Sequence, residues 1–428
     1  MTTDSTITEP LKQWLTFAPP APTLAQGKKW HVFLSYRSVH RDWAIKLYDA
    51  LMQAGFNVFL DQFKLVAGAS LVTSLTQALS ESASGVILWS NESTDSAWCQ
   101  TEYETMLRMK NQPGLDFHFV VIKTDQQELP LFAQNSLYED FSKSLEGPYG
   151  AGLLRVMYGL INKPLSEEAV RFAQAVDEET KGELIKIRGA KEIGNAERLN
   201  MLGSSNSPAW LTSPLLSCQT AEALIALGDA DAALDVLSIT ERHFPKSIRP
   251  KQLKALASAR CGQWSEAQCI LAELYAAGHR DPETLGLFAR TWMDRHKISG
   301  KRQHLEKSRN LYAEAFGLFP NDYYTGINAA AKCVFLGELD AADEHARKVE
   351  ALVGAETVSG DYWKTATVAE VQLIRKNFLK AAHLYRAAVT IDSEAKGSHG
   401  STLCQAQLLM DHLPVSSEER LAIEAAFI

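Results

Sequence analysis

Residues 30–36 read WHVFLSY, a short run of Val, Phe and Leu that stops at a serine and a tyrosine. Three further runs of the same kind follow: NVFLD (57–61), SGVILW (84–89) and FHFVVIK (117–123). Continuous apolar runs this short, closed by Gly or polar residues, suit strands buried on both faces, as in a parallel sheet. Helical patterns lie between them. Trp43, Leu47, Ala50, Leu51 and Ala54 recur at spacings of three and four before Gly55. Leu71, Leu75, Ala78 and Leu79 repeat the pattern, as do Trp98, Glu102, Thr105 and Met109. The βαβα order predicts a doubly wound α/β sheet with helices on both faces. A weaker strand is expected at 136–138 and a closing helix at 153–161. Ligands of such sheets gather at the carboxyl ends of the strands. Here these are 35–38, 61–70, 90–95 and 123–128.

The chain has 428 residues, which at roughly 150 per domain implies two or three domains. Apolar residues make up 46% and charged residues 22%, so wholesale disorder is excluded. Lys+Arg 43 against Asp+Glu 51 gives a net charge of −8, which argues against direct nucleic-acid binding. No apolar stretch approaches the ~20 residues of a spanning helix. The N-terminal sequence carries no basic region before an apolar one, so no secretory signal is read. Six scattered cysteines without a CxxC point to reduced thiols and a cytoplasmic protein. No HExxH, P-loop or GxGxxG occurs, and no metal site is expected. Cys99 lacks an assigned His base and reads as a packed thiol.

After residue 162 the strand signal ends. Residues 166–202 read as helix, interrupted at Gly182, Gly189 and Gly194, and SSNSP (204–208) reads as a linker. An internal repeat then emerges. Gly228, Gly262, Gln303, Gly337 and Lys376 align at steps of 34, 41, 34 and 39. Five residues after each stands a small residue: Ala233, Ala267, Ser308, Ala342 and Ala381. A 34-residue period with a small residue where two helices cross is the tetratricopeptide signature, and it predicts an all-α solenoid. The two long steps imply insertions, expected in turns. The expected division is an N-terminal extension (1–29), an α/β domain (30–162), a helical linker (163–209) and a repeat domain (210–428).

Three motifs bring a family into view. HVFLSYRS (31–38), FLDQFKLVAGASL (59–71) and SAWCQTE (96–102) resemble, in order and spacing, the three boxes of the TIR (Toll/interleukin-1 receptor) domain. The resemblance implies a flavodoxin-like doubly wound sheet. FPNDYYTGINAA (319–330) resembles the tetratricopeptide-like TRAF-binding region of apoptosis signal-regulating kinases. That likeness implies an architecture and no TRAF partner.

TIR domains divide into scaffolds and enzymes that cleave the nicotinamide–ribose bond of NAD⁺. The resemblance places the enzymes' single glutamate at Glu102. Trp98 lies one turn before it on the same helix face, whereas Glu104 points elsewhere. An indole stacks on nicotinamide, and a carboxylate stabilises positive charge developing on the ribose. Nicotinamide departs as a neutral base, so no general acid is required, unlike ordinary glycosidases. Ser35, Tyr36 and Arg37 leave the first strand at the ligand edge, where backbone amides and Arg37 could hold the pyrophosphate. Tyr36 stacks on a base or simply packs. Arg37 is as readily paired with a local carboxylate. Asp61 bonds a ribose hydroxyl or only caps its loop. Lys64 faces NAD⁺ or a neighbouring subunit.

Two functions are thereby expected. The first is an NAD⁺ hydrolase with NAD⁺ as substrate and no cofactor, releasing ADP-ribose or a cyclic form. It would be activated by TIR self-association, with a protein or small-molecule trigger at the repeats. The domain pairing resembles bacterial proteins, which implies anti-phage defence. The second is a non-enzymatic adaptor in which both halves bind proteins.

Overall fold

The computed structural model describes residues 13–37, 40–60, 71–90, 93, 96–125, 129, 138–142, 148, 150–245, 247–358, 360–393 and 396–427. The chain divides into two compact units, Met1–Ala257 and Ser258–Ile428.

The first unit opens with a five-stranded parallel sheet. Its elements run β1 (Trp30–Ser35), α1 (Arg41–Gln53), β2 (Val58–Phe59), α2 (Leu71–Ser80), β3 (Ser82–Trp89), α3 (Ala97–Asn111), β4 (His118–Lys123), β5 (Tyr138–Asp140) and α4 (Gly150–Leu160). The strand order is β2-β1-β3-β4-β5, the flavodoxin-like order. Register pairs Val32 with Val58, Leu34 with Val86, and Ile87 with Val121. The short strand expected at 136–138 lies at Tyr138–Asp140, and 136–137 fall outside the described residues.

Strand alternation sorts the core into two layers. Val32, Leu34, Val86, Leu88, Val120 and Ile122 pack with α1 and α4. Phe33, Ile87, Trp89, Phe119 and Val121 pack on the opposite face with α2 and α3. Helix α3 turns Cys99, Tyr103 and Met106 to the sheet, each almost fully buried. It sits close: a Cβ at Gly85 of β3 would lie 2.8 Å from Met106 Sδ.

Helix α5 (Glu167–Glu192) starts at Ser166, whose side chain accepts from the Ala169 amide. It runs through Gly182 and Gly189, where the sequence led us to expect interruptions, and gives way at Gly194, with φ +69°. An interior glycine costs a helix only ~1 kcal/mol. Burial of Ala169, Ala173 and Val176 against Trp14 and α4 outweighs that cost. Phe172 meets Trp14 edge-on at 5.0 Å and stacks on Phe17 at 4.5 Å.

Helical pairs of tetratricopeptide type follow α6 (Ala196–Gly203) and α7 (Pro208–Thr212). They are α8 (Leu215–Ala226) with α9 (Ala230–His243), α10 (Ile248–Arg260) with α11 (Trp264–Ala276), and α12 (Pro282–Ser299) with α13 (Arg302–Leu318). Next come α14 (Tyr323–Leu336) with α15 (Leu339–Val353) and α16 (Tyr362–Ile374) with α17 (Phe378–Ile391), before α18 (Lys396–Met410) and α19 (Ser417–Glu424).

Gly228, Gly262, Gly337 and Lys376 occupy the intra-pair turns at φ +87°, +75°, +79° and +65°. Ala233, Ala267, Ser308, Ala342 and Ala381 are each at most 1% exposed. Gln303 departs from the alignment. It lies inside α13, and the left-handed turn residue is Gly300, with φ +65°. The insertion expected in a turn instead lengthens the helices: α12 has 18 residues and α13 has 17, against 13 in α10 and α11. The second insertion does lie in a connection, residues 354–361 between α15 and α16. No helix among the described residues is long and apolar enough to cross a membrane.

Candidate active site

The strand order reverses between β1 and β3, and ligands of such folds bind outside that switch point. Ser35 ends β1 there. It shares the side of Phe33, two residues earlier, so its hydroxyl faces α3. Glu102 stands on the second turn of α3, beside the buried row of Cys99, Tyr103 and Met106. The Ser35 hydroxyl donates to Glu102 Oε2 at 2.5 Å. Ser35 is 3% exposed and Glu102 is half-buried. A short, charge-assisted bond of this kind fixes one carboxylate oxygen in place.

The start of α3 is itself held. Ser96 is its N-cap and accepts from the Cys99 amide at 3.4 Å. Arg37 Nη1 donates to the same Ser96 hydroxyl at 3.2 Å. Arg37 Nε is buried with no hydrogen-bond partner among the described residues. A guanidinium edge is thus left facing inward at the carboxyl end of β1, two residues from Ser35. Ser93 hydrogen-bonds Ser90 at 3.3 Å and the Leu88 carbonyl at 3.3 Å, closing the end of β3. Thr124 donates to the Trp89 carbonyl at 3.0 Å. Burial pushes the Cys99 thiol up, with Glu102 adding to the rise, so this sulfur is a poor nucleophile.

The positions singled out in the sequence fall as follows. Glu102, Ser35 and Arg37 come together around the first turns of α3. Tyr36 is half-buried and packs against the core on the α1 side. Trp98 occupies the first turn of α3, four residues before Glu102, and its side chain lies outside the described residues. Asp61 and Lys64 lie outside them too, with the whole loop 61–70. Glu104 is exposed on the outer side of α3. The sequence reading did not single out Ser96, although a serine just before a helix signals an N-cap. Nothing local signals its bond to Arg37, 59 residues away. Among the described residues, no group of three His, Cys, Asp or Glu is placed to hold a metal ion.

A parallel α/β domain with a carboxylate at its switch point, followed by tetratricopeptide-type helical pairs, is the class of protein defined here. Residues 32–155 match the family model described as "TIR domain", and residues 229–337 match that described as "Tetratricopeptide Repeats-Sensor". The chain carries a TIR domain followed by a tetratricopeptide sensor region. The motif at 319–330 lies inside the second match. Similar solved structures include a thermophilic TPR protein of Thermus thermophilus, at 16% identity over 46% of this chain and 100% of that one, TM-score 0.38. The TIR domain of a Toll-related receptor of Hydra magnipapillata is similar at 20% identity over 27% of this chain and 87% of that one, TM-score 0.24. The C-terminal part of a TPR repeat-containing protein of Cytophaga hutchinsonii is similar at 12% identity over 58% and 98%, TM-score 0.32.

Proposed function

We propose that this protein is a TIR-domain NAD⁺ hydrolase acting in anti-phage defence. TIR self-association switches it on, and the repeats sense a trigger or drive assembly. The observation that carries the reading is the Ser35–Glu102 bond at the switch point of the sheet. Cleavage of the nicotinamide–ribose bond develops positive charge on the ribose, and a pre-oriented carboxylate stabilises it. In this reading Glu102 is that carboxylate and Ser35 aims it. Arg37 meets the pyrophosphate with the guanidinium edge that Ser96 leaves unused. Trp98, one turn before Glu102, stacks on the nicotinamide ring. Asp61 and Lys64 complete the nucleotide contacts, and Tyr36 takes the packing role.

The test is incubation of the full chain with NAD⁺ at rising protein concentration, with nicotinamide and ADP-ribose species resolved by chromatography. Nicotinamide release lost in Glu102→Gln supports the reading. No release at any concentration, with self-association intact, favours a non-enzymatic adaptor.

A further inference from the structure

Helix α5 is packed on one side and bare on the other. Ala169, Ala173 and Val176 in its first half pack with Trp14 and with Leu154 of α4. Ile187 and Ala190 in its second half are buried on the same side. Glu179 and Glu183 fasten it to α7, accepting from the Ala209 amide at 3.2 Å and from Trp210 Nε1 at 3.3 Å. The opposite side carries Gly182, Ile185, Gly189 and, at the C-cap, Ile193. Their spacings of three, four and four align them in one stripe. Ile185 and Ile193 are each 69% exposed. A Cβ placed at Gly182 or Gly189 would meet nothing within 4 Å. Isoleucines at this spacing belong to the buried face of a helix, and glycine weakens a helix interior. Neither serves the packing of this unit.

Charge adds a direction. Lys181 and Glu192 flank the stripe on the same edge. Both are exposed, and neither makes an ion pair among the described residues. They stand about 16 Å apart along the axis, too far to meet within one helix. Lys186, on the other edge, is already paired with Glu183 at 2.6 Å.

We propose that two copies of this chain pair antiparallel through α5, about a two-fold axis, with each isoleucine seated on a glycine of the partner. Ile185 meets the partner's Gly189, and Ile193 meets the partner's Gly182. The same register brings Glu192 beside the partner's Lys181. Two-fold symmetry makes each of these contacts twice. A parallel copy would instead set Lys181 beside the partner's Lys181 and Glu192 beside the partner's Glu192, so charge favours the antiparallel arrangement. The glycines let the two helices approach closely, which gives them a use that folding does not. Four isoleucines make a small apolar contact, so the dimer is expected to be reversible and concentration-dependent. The first half of α5 is packed on α4, so the pair carries two TIR domains with it. That bearing on activity rests on the proposed self-association switch, whereas the pairing itself does not depend on NAD⁺ chemistry.

Sedimentation velocity of the full chain over a range of concentrations tests the pairing. The wild type is expected to pass from monomer to dimer. Ile185→Asp should weaken the dimer about tenfold or more, because it sets a charge in the apolar contact. Lys181→Glu and Glu192→Lys should each weaken it, since each turns two attractions into two repulsions, and the double variant should recover most of the loss. Ile298→Asp, at a site 70% exposed in the other unit, is the control and should change nothing. A wild type that stays monomeric throughout, a dimer that survives Ile185→Asp, or a double variant no stronger than the singles would overturn the proposal. Thermal melting of Ile185→Asp supplies a second readout. A fall in melting temperature with no change in mass would mean that a segment of the same chain covers the stripe, and would overturn it too.

Discussion

The Ser35 hydroxyl donates to Glu102 Oε2 across 2.5 Å, joining the last residue of β1 to the second turn of α3. The bond ties the carboxylate to the end of an interior strand of the sheet. If Glu102 acts on NAD⁺, Ser35→Ala frees it to rotate and should lower kcat about tenfold, the scale of one hydrogen bond to a charged group. KM should change little. Single-turnover and steady-state assays separate the two parameters. An unchanged kcat would remove Ser35 from the machinery.

Glu102→Gln keeps the size and the hydrogen-bonding capacity of the side chain but loses its charge. Loss of a charge-stabilising group costs about 10²–10³ in rate, so nicotinamide release should fall by at least that much. Circular dichroism should match wild type. Glu104→Gln, on the exposed side of the same helix, is the control and should retain most activity.

Activity should rise more steeply than linearly with protein concentration if the competent species is an assembly. Specific activity measured beside light scattering decides this. A flat specific activity from nanomolar to high micromolar protein, with a monomer throughout, would establish that each copy works alone.

Gly326 lies in the 319–330 motif, on the second turn of α14. A Cβ there would approach Val349 Cγ2 to 2.7 Å and Phe316 Cε2 to 2.9 Å, and both neighbours are buried. Gly326→Ala should destabilise the second unit by about 1–3 kcal/mol, the usual cost of overpacking. Thermal melting followed by circular dichroism reads the effect.

Lys376 holds φ +65° at the turn where the four other pairs place glycine. A left-handed conformation costs a side-chain-bearing residue ~1–2 kcal/mol, and glycine's greater unfolded freedom returns part of the gain. Lys376→Gly should therefore stabilise the second unit by about 0.5–1 kcal/mol. Gly337→Ala, the reverse change at an equivalent turn, should destabilise it. Denaturant midpoints of the two variants should move in opposite directions.

Much of this architecture is legible without coordinates, because strands buried on both faces leave continuous apolar runs. SGVILW lies within β3, and FHFVVIK overlaps all of β4. The edge strand β5 hides from that reading. Its residues Tyr138, Glu139 and Asp140 are polar and half-exposed or exposed, so no apolar run marks them. Gln303 misled the repeat alignment for a related reason. Ser308 keeps its buried crossing, but the helix carrying it starts at Arg302, one turn further ahead than in the other pairs. Around Glu102, the helix pattern puts Trp98 and Glu102 on one face, whereas the contacts to Ser35 and from Arg37 to Ser96 join distant segments. Strand alternation gives the direction in which Ser35 points, but no local rule names its partner.

Gly85 makes the position of Glu102 adjustable from beneath. With no side chain at 85, Met106 rests almost on the backbone of β3. A methyl group there would act as a shim. It would press on the Met106 thioether and the Phe117 ring, and whatever the thioether does not absorb by rotating would pass to the helix that carries Glu102. The clearance under one thioether thus acts as a spacer beneath the same helix whose second turn presents the acid to Ser35.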